Sequence, residues 1–305
     1  MVKHTGRHFL QIPGPTSVPD RVLRAIDMPM IDHRGSEFAD LAMQVLSDIK
    51  TIFKTDSPVI IFPSSGSGAW EAALVNTLSP GEKVLMLSAT ILNKEAFCHN
   101  LGIKEEDCAF LSIPSPFPVE NRPIMFFPAG KMGAKDIDRT LPKLATMVTA
   151  ILDEHKGQKG IVHCHSYKIA KYLKGNVKNK RILIHNSENR DEILQKHIDS
   201  KKDTVLLSPS MSEGVDLKGD LSKFQILCKV PFPYLGDAIV KKRMNKRDSW
   251  YPLQTAKTIV QSVGRSVRSK DDQAVTYILD QDWQRFYNSN KQFFPDDFKQ
   301  CLKWS

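Results

Sequence analysis

No Cys-x-x-Cys pair occurs in this sequence, whose five cysteines (Cys98, Cys108, Cys164, Cys228 and Cys301) are scattered. That spacing suggests neither a disulfide framework nor a zinc or iron–sulfur site, and reduced, mostly buried thiols are expected. A run of about 18 apolar residues is also lacking, which argues against a membrane span. The start, M-V-K-H-T-G-R-H-F-L-Q, has no apolar stretch of signal-peptide type, so the expected location is cytoplasmic. Missing too is G-x-x-x-x-G-K-[ST], the loop that cradles nucleotide phosphates and offers magnesium a hydroxyl.

What is present is a chain of 305 residues with 41% hydrophobic content, enough for two ordinary domains or one large α/β domain. Its net charge of +9 is unevenly spread. Residues 1–84 carry 8 basic and 9 acidic side chains, and the remainder carry 35 and 25, so all the excess positive charge follows residue 84. Basic surface gains free energy by displacing counterions from phosphates, which makes nucleic acid a plausible partner for the later part only. A lysine-rich solvated surface is the competing reading.

In the early part, D-R-V-L-R-A-I predicts a short amphipathic helix, and F-A-D-L-A-M-Q-V-L-S-D-I-K-T-I-F repeats apolar residues at helical spacing. P-V-I-I-F-P then predicts a strand running into S-S-G-S-G-A-W-E-A-A-L, a Gly/Ser turn that opens a helix. Free backbone N–H groups at such a helix start, with hydroxyls beside them, suit a phosphate. With G-P-T near the start and H-R-G-S-E-F after Asp32, residues 8 to about 86 resemble the N-terminal part of class V aminotransferases of the alanine- or serine-glyoxylate type. The resemblance implies that Ser65, Gly66, Ser67 and Gly68 hold the phosphate of pyridoxal phosphate. A pyridoxal enzyme also needs a Schiff-base lysine and a carboxylate against the pyridine nitrogen. Neither is found after residue 86, where Lys131 in F-F-P-A-G-K-M-G is only a poor imitation.

From L-S-A-T-I-L (Leu87 to Leu92) and P-S-P-F-P-V-E-N-R onward, the text resembles the XPD/DinG group of DNA helicases. G-I-V-H-C-H-S-Y, R-I-L-I-H and T-V-L-L-S predict strands separated by helices, hence a parallel sheet covered on both faces. S-M-S-E-G-V-D-L-K-G-D matches motif V of that group, and Q-S-V-G-R-S-V-R matches its motif VI, Q-x-x-G-R-x-x-R. Arg265 and Arg268 stand three apart, which predicts two guanidinium forks on one helical face, aimed at one γ-phosphate. Such arginines stabilise charge in the phosphoryl-transfer transition state.

By resemblance, Gln261, Arg265 and Arg268 are catalytic, and Ser88, Thr90, Gly214, Asp216 and Gly264 couple to the nucleotide. The same resemblance implies that Ser166, Tyr167, Ser212 and Glu213 contact nucleic acid. ATP and magnesium are implied only together with a first motor domain, which carries the phosphate loop and the D-E-x-H acid. The partners implied are single-stranded DNA or another nucleic acid, and a separate first motor domain.

Three further features need weighing. I-L-D-E-H-K-G (Ile151 to Gly157) imitates a D-E-x-H box but reads as a helix end with a glycine cap. H-C-H (His163 to His165) imitates a metal cluster, yet neighbouring side chains on a strand face opposite ways. The basic run K-K-R-M-N-K-R (Lys241 to Arg247), followed by Trp250 and Tyr251, fits a phosphate-contacting helix end with aromatics, or a plain surface helix.

The expected architecture is therefore α/β. Residues 86–305 form a mostly parallel sheet flanked by helices, the RecA-like second helicase domain, preceded by an aminotransferase-type helix-strand-helix segment over 1–85. A strand through Lys83 to Leu87 is expected to be shared at the seam. No metal site is assigned, and the origin of the join stays open.

Overall fold

The computed structural model describes residues 19–29, 31–32, 34–59, 76, 78–79, 81–88, 90–185, 189–209, 217, 219–246 and 249–304. The chain divides into two compact units, residues 1–87 and 88–305.

In the first unit, α1 (Asp20–Ile26) and α2 (Ser36–Phe53) are the two helices that apolar spacing predicts. Each has an acid in its first turn and a base in its last, matching the helix dipole. No described residue of either is buried. The Gly/Ser turn, with Ser65, Gly66, Ser67 and Gly68, lies outside the described residues. Lys83 to Leu87 corrects the expected seam strand: the segment is irregular, and Leu85 and Leu87 are over four-fifths exposed. An apolar run becomes a strand only when a neighbouring strand pairs with its backbone.

The second unit is built on β1 (Ile124–Gly130), β2 (Gly160–His163), β3 (Ile182–Ile184), β4 (Val205–Ser208), β5 (Phe224–Leu227), β6 (Val275–Asp280) and β7 (Leu302–Trp304). They form one seven-stranded sheet in the order β3-β4-β2-β5-β6-β1-β7, and every pairing is parallel. The central strands are buried on both faces, as parallel sheets require. Side chains alternate between faces, so Val162, Ile226 and Tyr277 join one core while Leu227 and Ile278 join another.

Helices α4 (Ile137–Glu154) and α5 (Tyr167–Asn176) cover the first face. Helices α8 (Trp250–Val263), α9 (Asp282–Ser289) and α10 (Asp296–Cys301) cover the second, around the fully buried Trp283. Three more helices complete the unit: α3 (Lys94–Leu101), α6 (Arg190–Asp199) and α7 (Ala238–Asn245).

All five cysteines are free, and four are buried, Cys108 being half-buried. The D-E-H imitation is a helix end: α4 stops at Glu154, and Gly157 takes the left-handed conformation (φ 78°) in the turn beyond. His155 is held there by Gln158 Oε1 at 2.7 Å and the Tyr277 hydroxyl at 2.9 Å, with its ring stacked on Phe224. Among the described residues, no helix is long and apolar enough to cross a membrane.

Candidate nucleotide and nucleic-acid site

In a parallel sheet the loops entering and leaving the strands collect at opposite edges. The segment after α8 enters β6, so Arg265 and Arg268 lie at the amino edge. Ser166 and Tyr167 leave β2 and lie at the carboxyl edge. The structure therefore separates the two predicted functions across the sheet, by about 13 Å for a four-residue strand.

At the amino edge the structure corrects the expectation of a helical R-x-x-R face. Helix α8 ends at Val263, Gly264 caps it, and both arginines stand on the irregular segment beyond. Competing partners for the backbone stop the helix. The Asp272 carboxylate accepts the N–H groups of Arg268 at 2.8 Å and Ser269 at 2.9 Å, and its other oxygen accepts that of Gly219 at 3.2 Å. The Ser266 hydroxyl meets that of Ser222 at 2.7 Å, both buried. Gln225, buried on β5, donates to the Val263 carbonyl and to Thr276 Oγ1, both at 2.8 Å. Three side chains thus fix the arginine turn at its beginning, middle and end. Arg265 is half-buried and Arg268 exposed.

Burial pushes the Asp272 carboxyl up, but the N–H groups of Arg268, Ser269 and Gly219 and the Ser269 hydroxyl outweigh it and hold the group below the usual aspartate value. The same carboxylate ties the exit of motif V, at Gly219, to the exit of motif VI.

Gln261, on the last turn of α8, reaches Thr90, its Nε2 lying 3.4 Å from Oγ1. Ser88 Oγ in turn accepts the Thr90 N–H at 3.2 Å. The structure thus brings Thr90, with Ser88 beside it, to Gln261, 171 residues away in sequence, while Gly264 caps the same helix end. Gly214, Asp216, Ser212 and Glu213 lie outside the described residues.

At the carboxyl edge, Ser166 caps α5 by accepting the Ile169 N–H, and Tyr167 beside it is 57% exposed. His163 and His165, two apart, stack their rings at 5.9 Å, while Cys164 between them joins the opposite core cluster. Among the described residues, no group of three or more His, Cys, Asp or Glu side chains is placed to hold a metal. Lys131, the imitation Schiff-base lysine, is exposed and lines a groove with Arg139 and Lys143.

The aromatics after the basic run are already occupied. Arg243 lies over the Trp250 ring at 5.2 Å, and Tyr251 stacks on Phe232 while its hydroxyl donates to the Pro233 carbonyl. Trp250 and Tyr251 thus pack against protein, as they would beside a plain surface helix.

Comparison with known proteins bears on both parts. A profile described as "Helicase C-terminal domain" matches residues 149–301. The chain belongs to the helicase C-terminal domain family. A DinG relative, the ATP-dependent DNA helicase DinG of Photobacterium profundum, is 30% identical over 220 residues, covering 64% of this chain and 31% of that protein. A solved structure of an XPD helicase superposes with a TM-score of 0.53 at 14% identity, covering 73% of this chain and 42% of that one, which supports the fold. The first part matches elsewhere: the serine–glyoxylate aminotransferase of Hyphomicrobium methylovorum is 47% identical over 102 residues, 32% of this chain and 25% of that protein.

The chain is thus a chimaera of an aminotransferase-like N-terminal region and a helicase C-terminal domain. It spans about a quarter of the aminotransferase's length and about a third of DinG's.

Sequence reasoning missed Asp272, Ser222 and Gln225. Only Asp272 left a signal, an acid just beyond a pair of arginines. The partners of the other two lie 38 or more residues away in the sequence.

Proposed function

We propose that residues 86–305 act as the second motor domain of an ATP-dependent DNA helicase. In this reading the domain binds single-stranded nucleic acid at the carboxyl edge of the sheet. From the amino edge it presents Arg265 and Arg268 to a nucleotide whose phosphates are held by a first motor domain.

The observation that carries the reading is the braced arginine turn, fixed by Gln225, Ser222 and Asp272 beside the Thr90–Gln261 contact. Electrostatic catalysis depends on donors held in place before charge develops, and a turn braced at three points meets that requirement. These residues fit the finger half of an ATP site. The phosphate cradle and the magnesium ligands belong to a first motor domain, and the sequence holds no G-x-x-x-x-G-K-[ST] loop. Hydrolysis by the chain alone is expected to be negligible.

The test is ATP hydrolysis by a fusion of residues 86–305 behind the first motor domain of a DinG-type helicase. Arg265→Ala is expected to lower kcat by about 10³-fold, the lower range for a finger arginine. A fusion that hydrolyses ATP equally well with Arg265→Ala and Arg268→Ala would remove the arginines from the mechanism.

The identity of the first part to aminotransferases favours a second reading, a pyridoxal phosphate enzyme. Its phosphate turn would be Ser65 to Gly68, and the cofactor's chemistry would need a Schiff-base lysine that the sequence does not supply. Protein incubated with pyridoxal phosphate that gains no borohydride-sensitive aldimine absorbance would dispose of this reading.

A further inference from the structure

Strands β2 and β5 are hydrogen-bonded neighbours, with His163 in register with Leu227. Their continuations part. After β2 the chain turns into α5 on one face of the sheet, and after β5 it leads through α7 to α8 on the other. In open α/β sheets, a crevice at the carboxyl ends of two neighbouring strands whose loops diverge in this way is where ligands bind.

His165 stands on the β2 side of this crevice. It is a non-glycine residue with φ 47°, a backbone strain of the kind that collects at functional sites. Lys229 stands on the β5 side, close enough that its charge, after burial, helps push the His165 pKa down to about 4 and keeps the ring neutral.

Beyond Lys229 the chain is anchored. The buried Asp280 carboxylate accepts the Val230 N–H at 2.9 Å, and Tyr251 holds the Pro233 carbonyl. Tyr234 follows, 80% exposed on a short loop closed by the Asp237 N–H donating to its carbonyl at 3.2 Å. Its ring occupies the space a side chain at position 236 would take: a Cβ on Gly236 would lie 2.2 Å from the ring. The absence of a side chain at Gly236 therefore leaves room for the Tyr234 ring beside the loop, where the residue is largely open to solvent. Lys241 and Lys242 of α7 are exposed just after it.

We propose that Tyr234 is a base-stacking platform and Lys229 a backbone-phosphate contact for a single-stranded polynucleotide lying in the β2–β5 crevice, with Tyr167 on the opposite rim. The inference deepens the proposed nucleic-acid site and rests on it. Every base offers a π-face, so such a platform is tolerant of sequence, and the lysines complement the phosphates.

The experiment is fluorescence titration of the full chain with labelled oligo(dT) and oligo(U), each with a central 2-aminopurine whose emission falls on stacking. The two arms distinguish a DNA from an RNA strand. Tyr234→Ala is expected to weaken binding about tenfold and to lose much of the quenching. Tyr234→Phe is expected to keep both, and Lys229→Gln to lower the salt slope by about 0.7. Wild-type affinity and quenching in Tyr234→Ala would overturn the platform and leave the nucleic-acid reading standing. Failure of the unaltered chain to bind either strand at low salt would overturn both. Tyr234 is exposed, so an unchanged melting temperature in Tyr234→Ala separates lost stacking from lost folding.

Discussion

Asp272 shows how one carboxylate sets the geometry of two motifs. Its oxygens accept three backbone N–H groups, those of Arg268 and Ser269 on the segment beyond α8 and that of Gly219. Its pKa is depressed on folding, so its stabilising contribution is present above the unfolded aspartate value and is lost as pH falls through the lower folded value. Asp272→Asn keeps the volume but offers one acceptor oxygen in place of two. It is expected to cost about 1–3 kcal/mol at neutral pH. Thermal melts of the two proteins at stepped pH should converge below about pH 4, the ordinary aspartate range. A gap that stays constant down to acid pH would show that Asp272 is not acting as a charged acceptor.

At the scale of elements, the β2–β5 pair is the hinge of the layout, because it carries the crevice and divides the two helix layers. Gly160, the first residue of β2, pairs with Phe224, and a Cβ there would lie 2.5 Å from the Phe224 ring, which is itself stacked on His155. Gly160→Ala must push that ring out of a filled core, an overpacking that costs about 1–3 kcal/mol. A melting temperature unchanged by the substitution would mean that Phe224 has room to move.

The strands from β2 to β4 were legible in the sequence, because buried parallel strands read as short apolar runs between helical segments. Helices α1 and α2 were legible by their spacing. The shared seam strand was misread for a physical reason: K-V-L-M-L has strand composition, but composition does not supply a pairing edge. The arginine turn was misread for a related one. Spacing of three suggests a helix face, while the hydrogen bonds that end α8 before Arg265 come from Asp272, Ser222 and Gln225. For Trp250 and Tyr251 the sequence left two readings open, because it does not show that Arg243 and Phe232 pack against them.

At the scale of the whole molecule, the excess positive charge and the helicase-type motifs both belong to residues 86–305. The aminotransferase-like part, with 8 basic and 9 acidic side chains over residues 1–84, is close to neutral and adds no net positive charge. The helicase C-terminal domain, on the proposed reading, is therefore expected to bind a polynucleotide chiefly through its backbone, with affinity falling steeply as salt rises.

The most direct measurement of that claim is the binding of the full chain to a labelled single strand, titrated over a range of potassium chloride concentrations. The expected result is binding at low salt, with the logarithm of the affinity falling linearly against the logarithm of salt, at about 0.7 per phosphate neutralised on a single strand. Absence of binding at low salt, or an affinity indifferent to salt, would contradict it.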